Sequence, residues 1–548
     1  MTSQAPARAG RREWAGLAVL ALPTLLISMD VTVLYLAVPQ LSADLGPSST
    51  ELLWIMDVYG FLIAGALVPM GVAGDRYGRR KLLLAGATLF GVASVLAAYA
   101  DSPQTLIAAR ALLGLAGATL MPSTLSLVRV MFVDPAQRGV AIAVVMTSFS
   151  VGTTVGPLLG GLLLEFFWWG SVFLLGVPVM LLLLVLGPLL LPEYRDPQSG
   201  RVDPTSVLLS IGSMIGVVYA VKETAAHGFA WTTVSAGVAG LALGTWFVRR
   251  QLALTEPLLD LALLRDRVIN TSLGTYLLGM FAMGGTQVFI ALYLQEVLGL
   301  SPLLAGVWMV PASLGTVAGS MLAPVLVRRW RPSVVIAAGL TLAGAGFGVL
   351  GAAGPHDLTV LVLGYLMVAL GLSPMITLCT DLVIGAAPSR RAGAASAMSE
   401  SSGELGVALG VALLGSLGTA VYRASVGDGL PTGLPAGAAD TVRRTLGGAG
   451  SVAADLPGGL AEPLLAASRE ALTYGLNVTA AVAGAVTVAT AVWAGLRLRG
   501  VPVTRAAGPL DAAAPGAPDP SKGPDGSDGS DKTDGSDGSE GQAVGRTV

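Results

Sequence analysis

The sequence predicts an all-α membrane protein with fourteen transmembrane helices, and three observations carry that expectation. Hydrophobic residues make up 53% of the 548-residue chain and charged residues only 12%, against roughly 25% charged in a soluble domain. Fourteen stretches poor in charge reach the ~20 residues that a hydrocarbon core requires. Arginine and lysine collect in alternate loops between them. The 72 glycines and 32 prolines fit the same reading, because neighbouring helices satisfy the backbone groups that such residues free.

In chain order the expected spans are 14–39, 52–73, 82–100, 105–129, 139–163, 170–191, 205–222, 231–249, 269–295, 303–327, 333–352, 359–386, 393–421 and 472–497. The first is too long for a cleavable signal and ends at Pro39 without a small-residue cleavage site. On one side of the membrane lie Arg8, Arg11 and Arg12, then Arg76, Arg79, Arg80 and Lys81, then Arg249, Arg250, Arg265 and Arg267, then Arg328, Arg329 and Arg331, then Arg390 and Arg391. The short loops of the other side hold Lys222 alone. The positive-inside rule then places both termini in the cytoplasm of a cell-membrane protein, and the alternation independently supports an even helix count.

Residues 1–13 form a cytoplasmic N-terminus. Residues 14–191 and 269–499 are two six-helix halves, related by the matching basic loops 74–81 and 328–331. Residues 192–268 add two inserted helices. Such repeats place substrate near the midplane, between the halves. Residues 422–471 are expected as a long external loop, with short surface helices near Thr441–Leu446 and Ala461–Tyr474. Residues 500–548 form an acidic, Gly/Ser/Asp-rich tail, expected to be disordered because it has too little apolar surface to offset ordering entropy.

The loop after the second span reads GVAGDRYGRR, Gly71 to Arg80, and resembles the G-x-L-A-D-R-x-G-R-K loop of the major facilitator superfamily. Gly71, Asp75, Arg76, Gly78 and Arg79 match it, which implies a cytoplasmic gating role. Span five contains GTTVGPLLGG, similar to the antiporter motif of that superfamily, with Gly152, Gly156, Pro157, Gly160 and Gly161 in register. Small residues at this spacing let helices approach closely, and proline bends the helix. The segments MDVTVLYLAVP from Met29, LWIMDVYGF from Leu53 and LLGLAGATLMPSTLSLVR from Leu112 resemble the fourteen-helix drug:proton antiporters, closest to exporters of quaternary ammonium compounds and cationic dyes. The resemblance covers about residues 14–500. It implies the major facilitator fold, proton-driven multidrug export and lipophilic cationic substrates.

The ionisable residues within spans point the same way. Asp30, Asp57, Arg110, Asp381, Glu400 and Glu404 lie well inside apolar stretches, where a charge costs about 2.5–3.5 kcal/mol on insertion scales. Each therefore needs a partner, a water-filled cavity or a function, and burial favours the protonated form of an acid. Asp30, Glu400 and Glu404 are the proton-coupling candidates, and the resemblance adds Arg110, which is similar to the family's span-four arginine and is expected to perturb a nearby acid and help proton transfer. Glu400 and Glu404 lie one helical turn apart, ~6 Å along the axis, close enough to share a proton. Asp57 has Trp54 and Phe61 at i−3 and i+4, so an aromatic face and a carboxylate are presented together to a cation; with Glu404 these form the substrate-binding candidates. An interfacial anchor is the alternative for Asp57 and Trp54. Asp381 is expected to cap or to snorkel. The tenth span, Val310 to Leu322, lacks the acid that some relatives carry, which favours monovalent over divalent cations.

Other classes find little support. Two histidines and one cysteine, Cys379, form no metal-ligand cluster or internal disulfide, so no metal and no cofactor is expected. No phosphate-binding G-x-x-x-x-G-K-[ST] loop occurs, and no catalytic constellation is visible. The net charge of −2 gives no nucleic-acid footprint. The expected partners are protons, lipophilic cations and the lipid bilayer, with the chain acting as a monomer. A dedicated exporter of one natural-product antibiotic is the alternative reading.

Overall fold

The computed structural model describes residues 9–501 apart from 196–202, 228–229, 255–260, 262, 388–391, 432–433, 435, 445–448, 455 and 457. The acidic tail beyond Val501, with Arg8, Arg390 and Arg391, lies outside the described residues. Among those residues the regular structure is helical. The first half comprises α1 (Arg11–Leu45), α2 (Ser49–Tyr77), α3 (Arg79–Ala98), α4 (Pro103–Met131), α5 (Pro135–Phe166), and a sixth span broken into α6 (Ser171–Leu174) and α7 (Gly176–Leu190). An inserted hairpin follows, α8 (Pro204–His227) and α9 (Trp231–Ala253). The second half contains α10 (Arg267–Leu292), which continues as a π-turn through Val297, then α11 (Pro302–Leu326), α12 (Pro332–Leu350), α13 (Leu358–Ala386), α14 (Ala392–Gly429), two short helices α15 (Ala436–Arg444) and α16 (Ala449–Ala454), and α17 (Gly458–Arg497). Among the described residues fourteen stretches are long and apolar enough to cross a membrane, the number the sequence predicts.

Local chemistry sets the helix ends. Ser48 and Glu51 form a reciprocal capping box at α2, with Glu51 N–H donating to Ser48 Oγ at 3.2 Å and Ser48 N–H to Glu51 Oε2 at 2.9 Å. Asp266 caps α10, and Ser301 followed by Pro302 opens α11. Long-range bonds gather the loops at two ends of the bundle. At the basic end Arg12 donates to the Leu189 carbonyl and Arg331 to that of Arg499. At the opposite end Gln104 donates to Glu51, Trp169 to Asp44 and Asn477 to the Ala353 carbonyl.

The halves meet along two seams, α2 with α14 and α5 with α11. The second is tight because it is built from glycine. A Cβ at Gly161 would sit 2.6 Å from the Pro302 carbonyl oxygen, and one at Gly306 would collide with the Pro157 carbonyl. Beside it Gln295 donates to the Leu36 carbonyl at 3.0 Å. These contacts lie toward the end opposite the basic loops. The inserted hairpin is peripheral: 11% of the apolar window of α9 is buried, against 78% for α2. Its start and finish are clasped at the basic end, where Arg250 donates twice to Asp203, at 2.7 and 3.1 Å, and holds that carboxyl down at about 2.

Two sequence expectations require correction. The region 422–471 is not one long loop. α14 runs on to Gly429 and α17 starts at Gly458, so the stretch near Ala461–Tyr474 is the opening of the last helix, and the short helix expected at Thr441–Leu446 lies at Ala436–Arg444. A hydropathy boundary marks where lipid ends, whereas a helix continues until a backbone breaker stops it. Lys222 is not a loop residue either; it sits inside α8 and is 1% exposed.

Overpacking a tight contact costs about 1–3 kcal/mol, so Gly306→Leu should shift the two halves toward separation at the α5–α11 seam by about tenfold. Labelling of Leu36→Cys by an impermeant maleimide, in a Cys379→Ser background, measures this. Unchanged protection in Gly306→Leu would contradict the seam as described.

Candidate functional site

The charged residues buried in the bundle sort themselves by partner. Asp30 on α1 accepts a hydrogen bond and ion pair from Arg110 Nη1 on α4. Arg110 is fully buried. Its Nε donates to the Ile55 carbonyl at 3.1 Å, and its guanidinium carbon lies 4.5 Å from the Tyr59 ring centroid. The site therefore supplies the guanidinium with a carboxylate, a carbonyl and an aromatic face, the set an arginine needs away from water. The two residues proposed from sequence for proton coupling in the first half are thus direct neighbours.

Asp57 on α2 is paired as well. Lys222 Nζ lies 2.8 Å from Oδ1 and 2.7 Å from Oδ2, with both side chains fully buried. The same ammonium sits 4.3 Å from the Trp54 ring centroid. Phe61 packs with Val218 of α8 and Ala408 of α14, in an apolar cluster against which Trp54 also rests. The carboxylate and aromatic face expected to receive a cation do receive one here, and it belongs to the chain. Sequence reasoning missed Lys222 because a lysine ending an apolar stretch reads as interfacial. One signal was available: it is the sole lysine between Lys81 and Lys522, and Asp57 required a counter-charge.

Glu400 and Glu404 on α14 differ. Among the described residues neither makes a hydrogen bond or ion pair, though both are at most partly exposed. Gly403, between them, makes room for an aromatic ring: a Cβ there would lie 2.7 Å from Tyr276 Cζ and Oη. Glu404 faces the first half, its Oε2 3.8 Å from where a Cβ on Gly60 would stand. Ser401 and Leu405, the residues that follow these acids, line a cavity of about 670 Å³ walled by Gly65, Met214 and Phe247, so α2, α8 and α9 all border it. Asp381 is apart from this group, exposed on α13 toward its end. Among the described residues no cluster of three or more His, Cys, Asp or Glu could hold a metal ion.

The two motifs have separate surroundings. On α5, Gly152, Gly156 and Gly160 face α1 at Ser28, Thr32 and Val33, while Pro157 and Gly161 face α11 of the other half. Gly156 is packed on Met29, the residue before Asp30, so α5 links the Asp30 neighbourhood to the seam. In the loop, Gly78 adopts φ +114°, a conformation side chains resist. Gly71 lies against Pro122 of α4, and Gly74 makes room for the Arg79 side chain. Asp75 pairs with Arg79 at 2.6 Å, and Arg80 donates to the Leu191 carbonyl at 2.9 Å, beside Glu193. Arg76 is exposed over the Tyr77 ring. These contacts fall within the first half.

The family model described as Major Facilitator Superfamily matches residues 20–411. The chain is 42% identical over 500 residues to the multidrug efflux pump LfrA of Mycolicibacterium smegmatis, covering 91% of this chain and 98% of that protein. It is 36% identical over 488 residues to the methyl viologen resistance protein SmvA of Salmonella typhimurium, covering 88% and 97%. In fold it is similar to a bacterial homologue of the human lysosomal transporter Spinster, crystallised inward-facing and unoccupied, with TM-score 0.63, 17% identity, and coverage of 90% and 100%.

Removing one member of a buried ion pair costs about 3–5 kcal/mol, because the other is left uncompensated. Asp57→Asn and Lys222→Met should each lower the thermal unfolding midpoint in detergent, and the double variant should recover most of the loss. Additive losses in the double variant would show that the two side chains do not stabilise each other.

Proposed function

This chain belongs to the major facilitator superfamily, and we propose that it is a proton-coupled multidrug exporter of lipophilic cations, quaternary ammonium compounds and cationic dyes among them, in the cell membrane with both termini cytoplasmic. One observation carries the proposal: two of the buried acids are matched by a cation of the chain, and Glu400 and Glu404 have none among the described residues. A bare carboxylate away from bulk water is costly, so it takes either a proton or a cation that arrives from elsewhere. A site that holds one or the other, never both, exchanges them across a membrane when the halves alternate, and that is antiport. The position of Glu404 facing α2 supports this, because a cation held there touches both halves.

Asp30 is the second proton position. Its proton cancels the charge opposite Arg110, leaving the guanidinium to the Ile55 carbonyl and Tyr59. That change occurs against α5, whose other face meets α11, so the protonation state bears on the contact between halves. The Asp75–Arg79 loop, latched to the end of α7, acts as the cytoplasmic gate. SmvA is named for resistance to methyl viologen, a dication, which argues for testing dications here despite the acid-free α11.

In proteoliposomes with an imposed pH gradient, the chain should move tetraphenylphosphonium against its gradient. Glu404→Gln should slow this at least ~30-fold, about 2 kcal/mol of lost cation stabilisation, while sparing a neutral substrate. Asp30→Asn should abolish the dependence on the pH gradient. Uphill movement by both variants at the wild-type rate would refute the proposal.

A further inference from the structure

The pair between Lys222 and Asp57 has a consequence for substrate, resting on the cation-export reading above. Lys222 belongs to the inserted hairpin, whereas Asp57 and Trp54 belong to the core helix α2. An ammonium 2.7–2.8 Å from both carboxylate oxygens and 4.3 Å over an indole ring has the coordination that recognises a quaternary or protonated amine: an acid for charge and an aromatic face for the weakly hydrated cation. Lys222 also borders a water-sized cavity of about 10 Å³ that is lined by Ser49, Thr50, Ser416, Thr419 and Arg423. Two of those hydroxyls, Ser416 Oγ and Thr419 Oγ1, are buried and have no hydrogen-bond partner among the described residues. Their lone pairs are open to a donor, which offers the ammonium a second set of acceptors off Asp57.

We propose that Lys222 is the resident occupant of a monovalent-cation site formed by Trp54 and Asp57, and that a quaternary ammonium group enters this site only as Lys222 withdraws toward Ser416 and Thr419. The long flexible stem of lysine suits such movement, since its ammonium is a compact point charge with three rotatable donors. The hairpin α8–α9 is thereby a tethered competitor: it keeps Asp57 neutralised between turnovers and filters substrates by requiring enough affinity to displace an ammonium already in place.

Binding of benzyltrimethylammonium to the purified full chain tests this, with neopentylbenzene as its neutral isostere. Lys222→Met empties the site and should bind the cation at least ~10-fold more tightly than wild type, about 1.4 kcal/mol, with no change for the neutral isostere. Adding Trp54→Ala or Asp57→Asn should remove the gain. Lys222→Arg keeps the charge and holds the carboxylate with a bidentate fork, so it should bind the cation several-fold more weakly. That variant leaves no bare acid and decides the matter even where Lys222→Met fails to fold. Equal or weaker cation binding by a folded Lys222→Met, an equal gain for the neutral isostere, or unchanged binding by Lys222→Arg overturns the proposal. If no variant binds the cation and wild-type vesicles fail to move tetraphenylphosphonium, the parent reading fails instead.

Discussion

A charge inside a lipid-embedded bundle must be neutralised, by a partner, by a proton or by a ligand, and the arrangement of this molecule follows from that constraint. Arg110 draws Asp30 on α1 to α4, and Lys222 draws the inserted hairpin onto α2. Both pairs stabilise the bundle chiefly by avoiding the penalty of separation rather than by adding net attraction. Once they are formed, Glu400 and Glu404 remain without a hydrogen bond or ion pair among the described residues, on the helix that lines one seam between the halves. Their lack of an internal partner is what makes them available to something mobile.

Glycine makes those meetings possible. Gly152, Gly156 and Gly160 let α5 approach α1 beside Asp30, and Gly161 with Gly306 lets the same helix meet α11. Helices in lipid gain little from hydrophobic burial against each other, so close van der Waals packing through small residues carries the association. The antiporter motif therefore serves two faces of one helix, one toward the acid and one toward the other half.

Much of this was legible in the sequence. The fourteen spans follow from apolar length, and the common face of Glu400 and Glu404 on α14 follows from helical spacing. That the acid beside Arg110 is Asp30 was not legible, since the two lie 80 positions apart. Lys222 was illegible for a similar reason: whether a lysine at the end of an apolar run reaches water or an acid depends on which helix packs beside it. The length of α14 and α17 past the apolar limit was hidden because hydropathy reports solvent rather than backbone conformation. The different targets of Gly160 and Gly161, adjacent residues about 100° apart around the helix, likewise required the packing.

The central claim is that proton and cation compete for the acids that the chain leaves unmatched. Proton release on cation binding measures this directly: purified protein in weakly buffered detergent, a pH indicator, and tetraphenylphosphonium added in steps across the mildly acidic to neutral range. The account predicts that binding expels protons and that the Glu400→Gln/Glu404→Gln variant loses this release. Tight binding with no proton displaced at any pH, or full release by the double variant, would contradict it.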